Sequence, residues 1–344
     1  MLVKEPNWLG DLVISLPALR GVRRAYPEAR LAVLVKQELA GFFEGVEGID
    51  EVISYRIGAG IRGLADRWKV IGAVRAGAFD LAVLLPRSFE AALWMAAARV
   101  PRRAGAAAQG RSWLLTDALK TSPVAPARHQ ANDYLDLFRA TLGIEGSVED
   151  VRITAAPART AKVRAWLAER RRGDGPLIAI APAAAYGPAK EWPADRYAAL
   201  IDQLGEGDGA ECVLVGTAAE RARCAEIAAA SRTGALVAAG ETDVGDLVAL
   251  LSLCGAFAGN DSGAMHVAGA LGIPTVGIFG STRPLRTGPL GPRTRVLYEQ
   301  IACSPCLDRT CRFGHYECLR RIGVANVVAA LADLGAFASR PGLR

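Results

Sequence analysis

The stretch that decides the fold lies in the last third of the chain, at residues 259–266, and reads Gly-Asn-Asp-Ser-Gly-Ala-Met-His. The apolar residues 256–258 before it can end a buried strand, and residues 265–271 after it can form a helix that packs closely on a sheet. The first turn of such a helix has free N–H groups and a partial positive charge, which suit a phosphate. The same residues also fit an ordinary strand–turn–helix connection in which Asp261 or Ser262 caps the helix.

Strand and helix patterns alternate along the rest of the chain. Short apolar runs predict strands at 2–4, 31–35, 51–55, 80–85, 177–180, 212–215, 236–238 and 275–279. Those at 31–35, 80–85 and 275–279 are almost wholly apolar and are expected to be buried. Apolar residues at helical spacing predict helices at 12–22, 64–78, 89–99, 132–142, 163–172, 197–204, 220–230 and 244–253. Pro17 is expected near the start of the first helix, where a proline is tolerated. Such alternation predicts parallel sheets in an α/β fold.

The length of 344 residues suits two domains. The composition changes over residues 143–160, which contain Gly143, Gly146 and Pro157 and few apolar runs, so we expect the domain boundary there. Two such domains in tandem would form a cleft between the carboxyl edges of their strands, where ligands of open α/β sheets bind.

The composition limits the possible partners. Hydrophobic residues make up 51% of the chain and the net charge is +6, which favours anionic partners such as phosphorylated sugars, nucleic acid or an anionic bilayer. No zinc-finger, aromatic RNA-binding or helix-turn-helix signature is present, so nucleic acid is not an expected partner. No apolar run approaches the roughly 18–20 residues of a membrane span, and the chain starts with a strand pattern rather than a signal core. We therefore expect the protein in the cytoplasm.

Three predicted strand–helix connections carry polar residues that could act in chemistry. Asp11 follows Gly10 at a helix start, where it could serve as a general base or simply cap the helix. Lys190 ends a loop of small residues, 181–189, whose backbone amides could approach a phosphate while the lysine offsets charge on a leaving group. His266 could donate to a phosphate or lie satisfied on a packed helix. No Gly-x-Ser-x-Gly elbow and no Gly-x-Gly-x-x-Gly follows the expected strands, which argues against a hydrolase triad and a dinucleotide site.

Four of the seven cysteines form a cluster with C-x2-C-x4-C-x6-C spacing: Cys303, Cys306, Cys311 and Cys318. Three states are possible for this cluster: disulfides, which a reducing cytoplasm disfavours, a structural zinc site, or unpaired thiols in a packed loop. His315 could replace one thiol as a ligand. Cys212, Cys224 and Cys254 lie in apolar surroundings and are expected in the core.

Four motifs in a fixed order resemble a known family, the ADP-heptose:lipopolysaccharide heptosyltransferases, and heptosyltransferase II most. They are Asn-Trp-Leu-Gly-Asp at 7–11 with Leu-Pro-Ala-Leu at 16–19, Leu-Pro-Arg-Ser-Phe at 85–89, Gly-Pro-Ala-Lys-Glu-Trp-Pro at 187–193, and Asn-Asp-Ser-Gly-Ala-Met-His at 260–266. The resemblance implies a GT-B fold of two Rossmann-like domains. Residues 1–155 would bind the lipid A-core acceptor, residues 156–325 would bind ADP-heptose, and residues 326–344 would form a helix and tail that return to the first domain.

The resemblance also implies roles for individual residues in an inverting reaction that requires no metal or other cofactor. Asp11 would be the general base, and Lys190 would neutralise the donor diphosphate. The donor side would be completed by Gly10, Ala183, Ala184, Thr217, Glu220, Asp261, Ser262, Gly263 and His266. The chain has Pro182-Ala183-Ala184 where the family often has Pro-Gly-Ala. The cysteine cluster is absent from the best-known enterobacterial members, although similar clusters occur in other members.

The resemblance leaves three functions to distinguish. The first is heptosyl transfer to the lipopolysaccharide inner core, at the cytoplasmic face of the inner membrane, with the basic surface as a peripheral anchor. The second is transfer to another heptose position or from another nucleotide sugar. The third is a non-catalytic sugar-nucleotide-binding protein, which would have no need of a carboxylate such as Asp11.

Overall fold

In the computed structural model, which describes residues 1–120 and 128–337, the chain divides into two units, Met1–Val151 and Arg152–Arg344. The division falls four residues before the expected boundary at 155. Each unit contains one six-stranded parallel sheet covered by helices. The predicted α/β class with two Rossmann-like domains is therefore confirmed.

The first sheet has the strand order β3-β2-β1-β4-β5-β6. Its strands are β1 (Leu2–Lys4), β2 (Ala32–Lys36), β3 (Glu51–Tyr55), β4 (Leu81–Leu84), β5 (Arg102–Ala106) and β6 (Asp117–Leu119). The helices described in this unit are α1 (Leu9–Ala25), α2 (Gly60–Ala76), α3 (Phe89–Ala97) and α4 (Ala131–Leu142). The central strands β1, β2 and β4 are almost wholly buried, as expected of parallel strands covered on both faces.

The second sheet has the order β12-β11-β10-β7-β8-β9. Its strands are β7 (Leu177–Ala181), β8 (Glu211–Leu214), β9 (Leu236–Val237), β10 (Ala256–Asn260), β11 (Thr275–Phe279) and β12 (Thr294–Tyr298). The helices described in this unit are α5 (Pro157–Ala168), α6 (Ala194–Asp208), α7 (Arg221–Ala230), α8 (Val244–Leu253), α9 (Gly263–Ala270), α10 (Pro284–Thr287), α11 (Glu317–Arg320) and α12 (Val324–Asp333). When the strands are renumbered within their own unit, both sheets have the same order, 3-2-1-4-5-6.

Some sequence-based expectations differ from the structure. Pro17 lies well inside α1 rather than near its start, because the helix already begins at Leu9. The strands β5, β6 and β12 were not expected, since the runs Arg102–Ala106, Asp117–Leu119 and Thr294–Tyr298 are short and mix charged or small residues with apolar ones.

The C-terminal helix α12 belongs to the second unit. Its buried residues Val327, Ala330 and Leu331 join the core formed by α6 and the second sheet. The apolar side of α12 is therefore used within its own unit, and the expectation that residues 326–344 return to the first domain stays a prediction. Residues 338–344 of the expected tail lie outside the described residues.

Candidate functional site

The candidate residues lie at the point in each sheet where the strand order reverses. In the first unit this point lies between the neighbouring strands β1 and β4, and in the second it lies between β7 and β10. The loops that leave such a pair of strands diverge to opposite faces of the sheet and open a crevice, which is where open α/β sheets bind ligands. Asp11 follows β1, Lys190 follows β7, and Asp261 follows β10.

Asp11 lies in the first turn of α1 and is half-buried. The side-chain amide of Gln130 donates a hydrogen bond to its Oδ1 atom over 2.7 Å, and the same amide lies 3.1 Å from the hydroxyl of Tyr134. Burial and the nearby charge of Asp11 raise the pKa of Tyr134 far above its usual value, so this phenol stays neutral. The Asp11 carboxylate is therefore oriented by a neutral amide that is itself held by a neutral phenol.

A buried acid and a buried base lie just before this turn. Glu5 is fully buried and Lys4 is 2% exposed. The Lys4 ammonium donates to the backbone carbonyl of Glu5 over 2.6 Å and lies 4.9 Å from the centre of the Tyr55 ring. Burial raises the pKa of Glu5 to about 8 and lowers the pKa of Lys4 to about 8.

The hydrogen bonds of Ser15 indicate how Glu5 is protonated. The Ser15 hydroxyl lies 2.8 Å from Glu5 Oε2 and 2.8 Å from the carbonyl oxygen of Leu12. One hydroxyl proton cannot be donated to both acceptors. A protonated Glu5 removes the conflict, because it donates to the Ser15 oxygen while Ser15 donates to Leu12.

Lys190 and Asp261 form an ion pair in the second unit. The Lys190 ammonium lies 2.6 Å from Asp261 Oδ2, and the two side chains are 14% and 5% exposed. The same carboxylate oxygen accepts a hydrogen bond from the Thr282 hydroxyl over 2.7 Å. The fold thus brings Lys190 and Asp261 together, and each side chain neutralises part of the charge of the other.

The expected caps of α9 are not formed by side chains. Ser262 occupies the N-cap position without a capping hydrogen bond. The Asp261 carboxylate instead pairs with Lys190 and accepts a hydrogen bond from Thr282. The Ser262 hydroxyl oxygen is buried and has no hydrogen-bond partner among the described residues. A buried hydroxyl without a partner is costly, so Ser262 is well placed to bind a polar ligand. Gly263 begins the helix, and His266 is buried within it at 4% exposure.

Asn260 joins the two loops that carry Lys190 and Asp261. Its side-chain oxygen accepts hydrogen bonds from the backbone N–H of Trp192 over 2.9 Å and from the hydroxyl of Tyr197 over 2.8 Å. Asn260, Trp192 and Tyr197 are all fully buried. The Lys190–Asp261 pair is therefore held by a rigid, buried polar contact rather than by exposed loops.

Residues 303–318, which we call the cysteine loop, support the turn that carries Lys190. The backbone N–H of Ala189 donates to the carbonyl of Arg309 over 3.0 Å, and the Tyr186 hydroxyl donates to the carbonyl of Leu307 over 2.6 Å. Gly187 has a φ of 138°, and a Cβ atom there would lie 2.6 Å from the carbonyl oxygen of Arg309. Only glycine fits this close approach.

The remaining donor-side candidates lie in the same unit. Ala183 and Ala184 are buried, and the N–H of Ala184 donates to the Glu191 carboxylate over 3.2 Å. Thr217 and Glu220 follow β8, the neighbour of β7. The Glu220 carboxylate accepts a hydrogen bond from the backbone N–H of Thr217 over 2.7 Å. In this structure it therefore stabilises the turn in which it lies.

The four clustered cysteines line one cavity of about 20 Å³ together with His315. The Cys303 sulfur lies 3.9 Å from His315 Nε2. Burial opposes ionisation of Cys311, but hydrogen bonds from the backbone, that of Tyr316 foremost, lower the pKa of its thiol. Within residues 1–120 and 128–337, no three or more His, Cys, Asp or Glu side chains are arranged to hold a metal ion.

Comparison with known proteins identifies the family of this chain. The model of glycosyltransferase family 9 (heptosyltransferase) matches residues 67–317. The chain belongs to this family. It is therefore a glycosyltransferase, as the order of its motifs predicted. In the part of this family 9 enzyme that the structure describes, no helix is long and apolar enough to cross a membrane.

Two solved structures and one curated relative are similar over most of their length. Lipopolysaccharide heptosyltransferase 2 of Escherichia coli (strain K12) is 31% identical over 86% of this chain and 87% of its own. The structure of E. coli ADP-heptose lps heptosyltransferase II superimposes with a TM-score of 0.82 at 28% identity, covering 97% of both chains. A glycosyl transferase family 9 structure from Veillonella parvula gives 0.85 at 22% identity over 97% of this chain and 96% of that one, which supports the GT-B fold.

The sequence did not indicate several groups that support the site: Gln130, Tyr134, Glu5, Lys4, Thr282 and the backbone contacts of the cysteine loop. Gln130 and Asp11 are 119 positions apart, and nothing local marks them as partners. For Lys4 and Glu5 one signal was available: two charged residues directly follow the apolar pair Leu2-Val3 of a central strand, where a charge has to be compensated.

Proposed function

We propose that this chain transfers heptose from ADP-L-glycero-β-D-manno-heptose to heptosyl-Kdo2-lipid A, as a heptosyltransferase II. Family membership and the similarity to heptosyltransferase 2 over most of the chain support the donor and acceptor. The observation that carries the reaction is the placement of a held carboxylate, Asp11, and a cation, Lys190, at the strand-order reversal of their respective sheets. A sugar-nucleotide-binding protein would have no use for the first of these.

The proposed chemistry is a single displacement that inverts the anomeric carbon. The acceptor hydroxyl oxygen attacks that carbon, its proton passes to Asp11, and the bond from the carbon to the β-phosphate oxygen of ADP breaks. ADP leaves with the electron pair, so negative charge grows on the diphosphate while positive charge grows on the sugar. Lys190 and the first-turn amides of α9 would stabilise the diphosphate, and Asp11 would serve the nucleophile.

The proposed donor site extends to the other predicted residues of the second unit. Ser262 would donate its buried hydroxyl to a phosphate oxygen, with Gly263 leaving room at the helix start and His266 close behind in α9. Asp261 would position Lys190 through their 2.6 Å contact. Glu220 would bind the ribose, which requires it to release the N–H of Thr217.

Release of ADP from ADP-heptose with heptosyl-Kdo2-lipid A as acceptor tests the proposal. We expect Asp11→Asn to lower kcat by about 10²-fold or more, because the general base is lost, while the Kd for ADP-heptose is retained. Asp195→Asn is the matched control, because Asp195 also lies in the first turn of a helix and is exposed.

Two results would contradict the proposal in different ways. If the wild type binds ADP-heptose and releases ADP only with a different acceptor, the chain is a related glycosyltransferase for another position. If it binds ADP-heptose and releases ADP with none, it is a binding protein, and Asp11→Asn will leave its affinity unchanged.

The acceptor has a lipid anchor, so the proposed enzyme would act at the cytoplasmic face of the inner membrane as a peripheral protein. The net charge of +6 supports contact with an anionic surface. No nucleic acid is involved in the proposed activity.

We also propose a structural Zn²⁺ ion in the cysteine loop, with no part in catalysis. The donor set supports it, since zinc prefers thiolates in structural sites and four thiols border one cavity. The side chains as described are not arranged around a metal, so binding would require them to turn toward the cavity. Metal analysis of the purified protein should find zinc in the wild type and in Cys224→Ala, but not in Cys306→Ser. A wild type free of zinc would overturn this proposal.

A further inference from the structure

Exposed apolar side chains are concentrated on one region of the first unit. Ile61, Leu64 and Trp68 of α2 are 86%, 59% and 68% exposed. Their spacing places them along one side of the helix, away from the buried residues Val70 and Val74. Large apolar side chains scattered singly need no explanation, but a row of three on one helix marks an interaction surface.

The neighbouring helix extends this row. Phe89 and Leu93 of α3 are 38% and 42% exposed, and the Phe89 ring lies 6.1 Å from the ring of Trp113, which is 72% exposed. The buried sides of α2 and α3 share one core, and Arg67 of α2 pairs with Glu90 of α3 over 2.5 Å. The two helices thus lie side by side with their outer sides turned away from the same sheet. We call Ile61, Leu64, Trp68, Phe89, Leu93 and Trp113 the apolar face.

The charge of the surrounding segment indicates the kind of partner. Residues 56–113 contain ten Lys and Arg residues and three Asp and Glu residues, a net charge of +7, whereas the whole chain has +6. The remainder of the chain is therefore close to neutral, and the basic character of the protein belongs to this segment. Arg56, Arg62, Lys69 and Arg87 are exposed within it.

We propose that the apolar face docks the enzyme onto an anionic lipid bilayer. Protein surfaces that lie at a membrane interface typically combine exposed tryptophans and aliphatic side chains with flanking cations. The rings enter the headgroup region, and the cations contact the lipid phosphates. A second protein chain would bury the aromatic residues equally well but would not require the exposed cations of this segment, such as Arg62 and Lys69 of α2. This docking rests on the proposed function in one respect: its purpose would be to give the enzyme access to a lipid-anchored acceptor.

Cosedimentation with vesicles tests the docking without any substrate. Vesicles of phosphatidylcholine with phosphatidylglycerol should bind the wild type, and vesicles of phosphatidylcholine alone should bind it much less. The triple variant Ile61→Ser, Leu64→Ser, Trp68→Ser should lose affinity by about tenfold or more, because three apolar side chains no longer enter the interface. Leu285→Ser is the matched control, since Leu285 is 63% exposed in the second unit and should bind as the wild type does.

The triple variant should fold normally, because the three side chains are largely exposed, and its melting temperature checks this. With an acyl-free soluble acceptor its kcat should equal that of the wild type, and with the acceptor in vesicles its rate should fall. This pairing separates docking from catalysis: a wild type that binds vesicles but transfers no heptose contradicts the proposed function alone. Equal vesicle binding by the wild type and the triple variant would overturn the docking proposal. So would a wild-type dimer that the triple variant abolishes, which would assign the face to a second copy of the chain.

Discussion

The two units have the same strand order but use it differently. In the first unit the strand-order reversal carries the candidate carboxylate Asp11, which accepts a hydrogen bond from the side-chain amide of Gln130, just before a helix distant in sequence. In the second it carries a closed ion pair, Lys190 with Asp261, fixed by the fully buried Asn260. The surfaces differ as well, since nine of the twelve exposed large hydrophobic residues described belong to the first unit.

This difference shows that the topology places a site while the side chains decide its chemistry. A diphosphate is small, rigid and highly charged, and a rigid cluster of cation, hydroxyl and helix amides suits it. Under the proposed function, the first unit would bind a lipid-linked acceptor, which is large and lies in a membrane, so this unit would need few fixed contacts and an outer surface that tolerates lipid. The following predictions test this contrast.

The largest expected effect is on the second unit. Lys190→Ala should leave the Asp261 carboxylate buried without its cation, which lowers the free energy of unfolding by about 3–5 kcal/mol and weakens ADP binding. The double variant Lys190→Met, Asp261→Asn should regain most of the stability but not the ADP affinity. Denaturant unfolding and ADP titration measure the two quantities.

Lys162→Ala is the matched control for that variant. Lys162 also pairs with a buried carboxylate, Asp246, but Asp246 keeps a second cation in Arg159. The loss of stability should therefore be small. Equal losses in the two variants would contradict the view that the Lys190–Asp261 pair depends on a single cation.

The next effect concerns the buried acid of the first unit. Because the pKa of Glu5 is raised to about 8, the native protein holds a proton that the unfolded chain releases at lower pH. The free energy of unfolding should thus fall as the pH rises toward 8, by at most about 1.4 kcal/mol per pH unit from this group. The lowered pKa of Lys4 acts in the opposite sense above pH about 8, where the unfolded chain holds the extra proton.

Glu5→Gln should remove the decrease in the free energy of unfolding that the wild type shows as the pH rises toward 8. The variant should therefore be more stable than the wild type at pH 8 but gain little stability at pH 5. Urea unfolding across this range measures the difference. Glu47→Gln, at an exposed glutamate of the same unit, should parallel the wild type. A Glu5→Gln curve parallel to the wild type would show that Glu5 is not protonated in the native state.

The smallest expected effect concerns the orientation of Asp11. Gln130→Ala removes the 2.7 Å hydrogen bond and should lower kcat by about tenfold, the equivalent of roughly 1.4 kcal/mol, with little change in the KM for ADP-heptose. Gln130→Glu should lower it further, because two carboxylates would then face each other. Gln203→Ala, at an exposed glutamine of α6, should behave as the wild type. A rise in KM without a loss of kcat would assign Gln130 to donor binding instead of base orientation.

Much of the fold was accessible from local patterns. The runs at 2–4 and 275–279 coincide with β1 and β11, because buried parallel strands leave apolar, β-branched segments that need no tertiary information. The start of α1 and the burial of Pro17 within it were not accessible, since a proline inside a helix contradicts propensity and only packing can override that preference. The short strands β5 and β6 form because neighbouring strands offer hydrogen bonds, which no local pattern records.

The sequence by itself determined the class of fold, the order of the motifs and the presence of a carboxylate, a lysine and a helix start in three connecting loops. Only the tertiary structure decided which groups meet: Asp11 with Gln130, Lys190 with Asp261 and Thr282, and the cysteine loop with the turn at Gly187. The physical reason is that local patterns follow from the backbone geometry of each segment. Contacts between distant residues follow instead from the strand order, which brings β1 beside β4 and β7 beside β10.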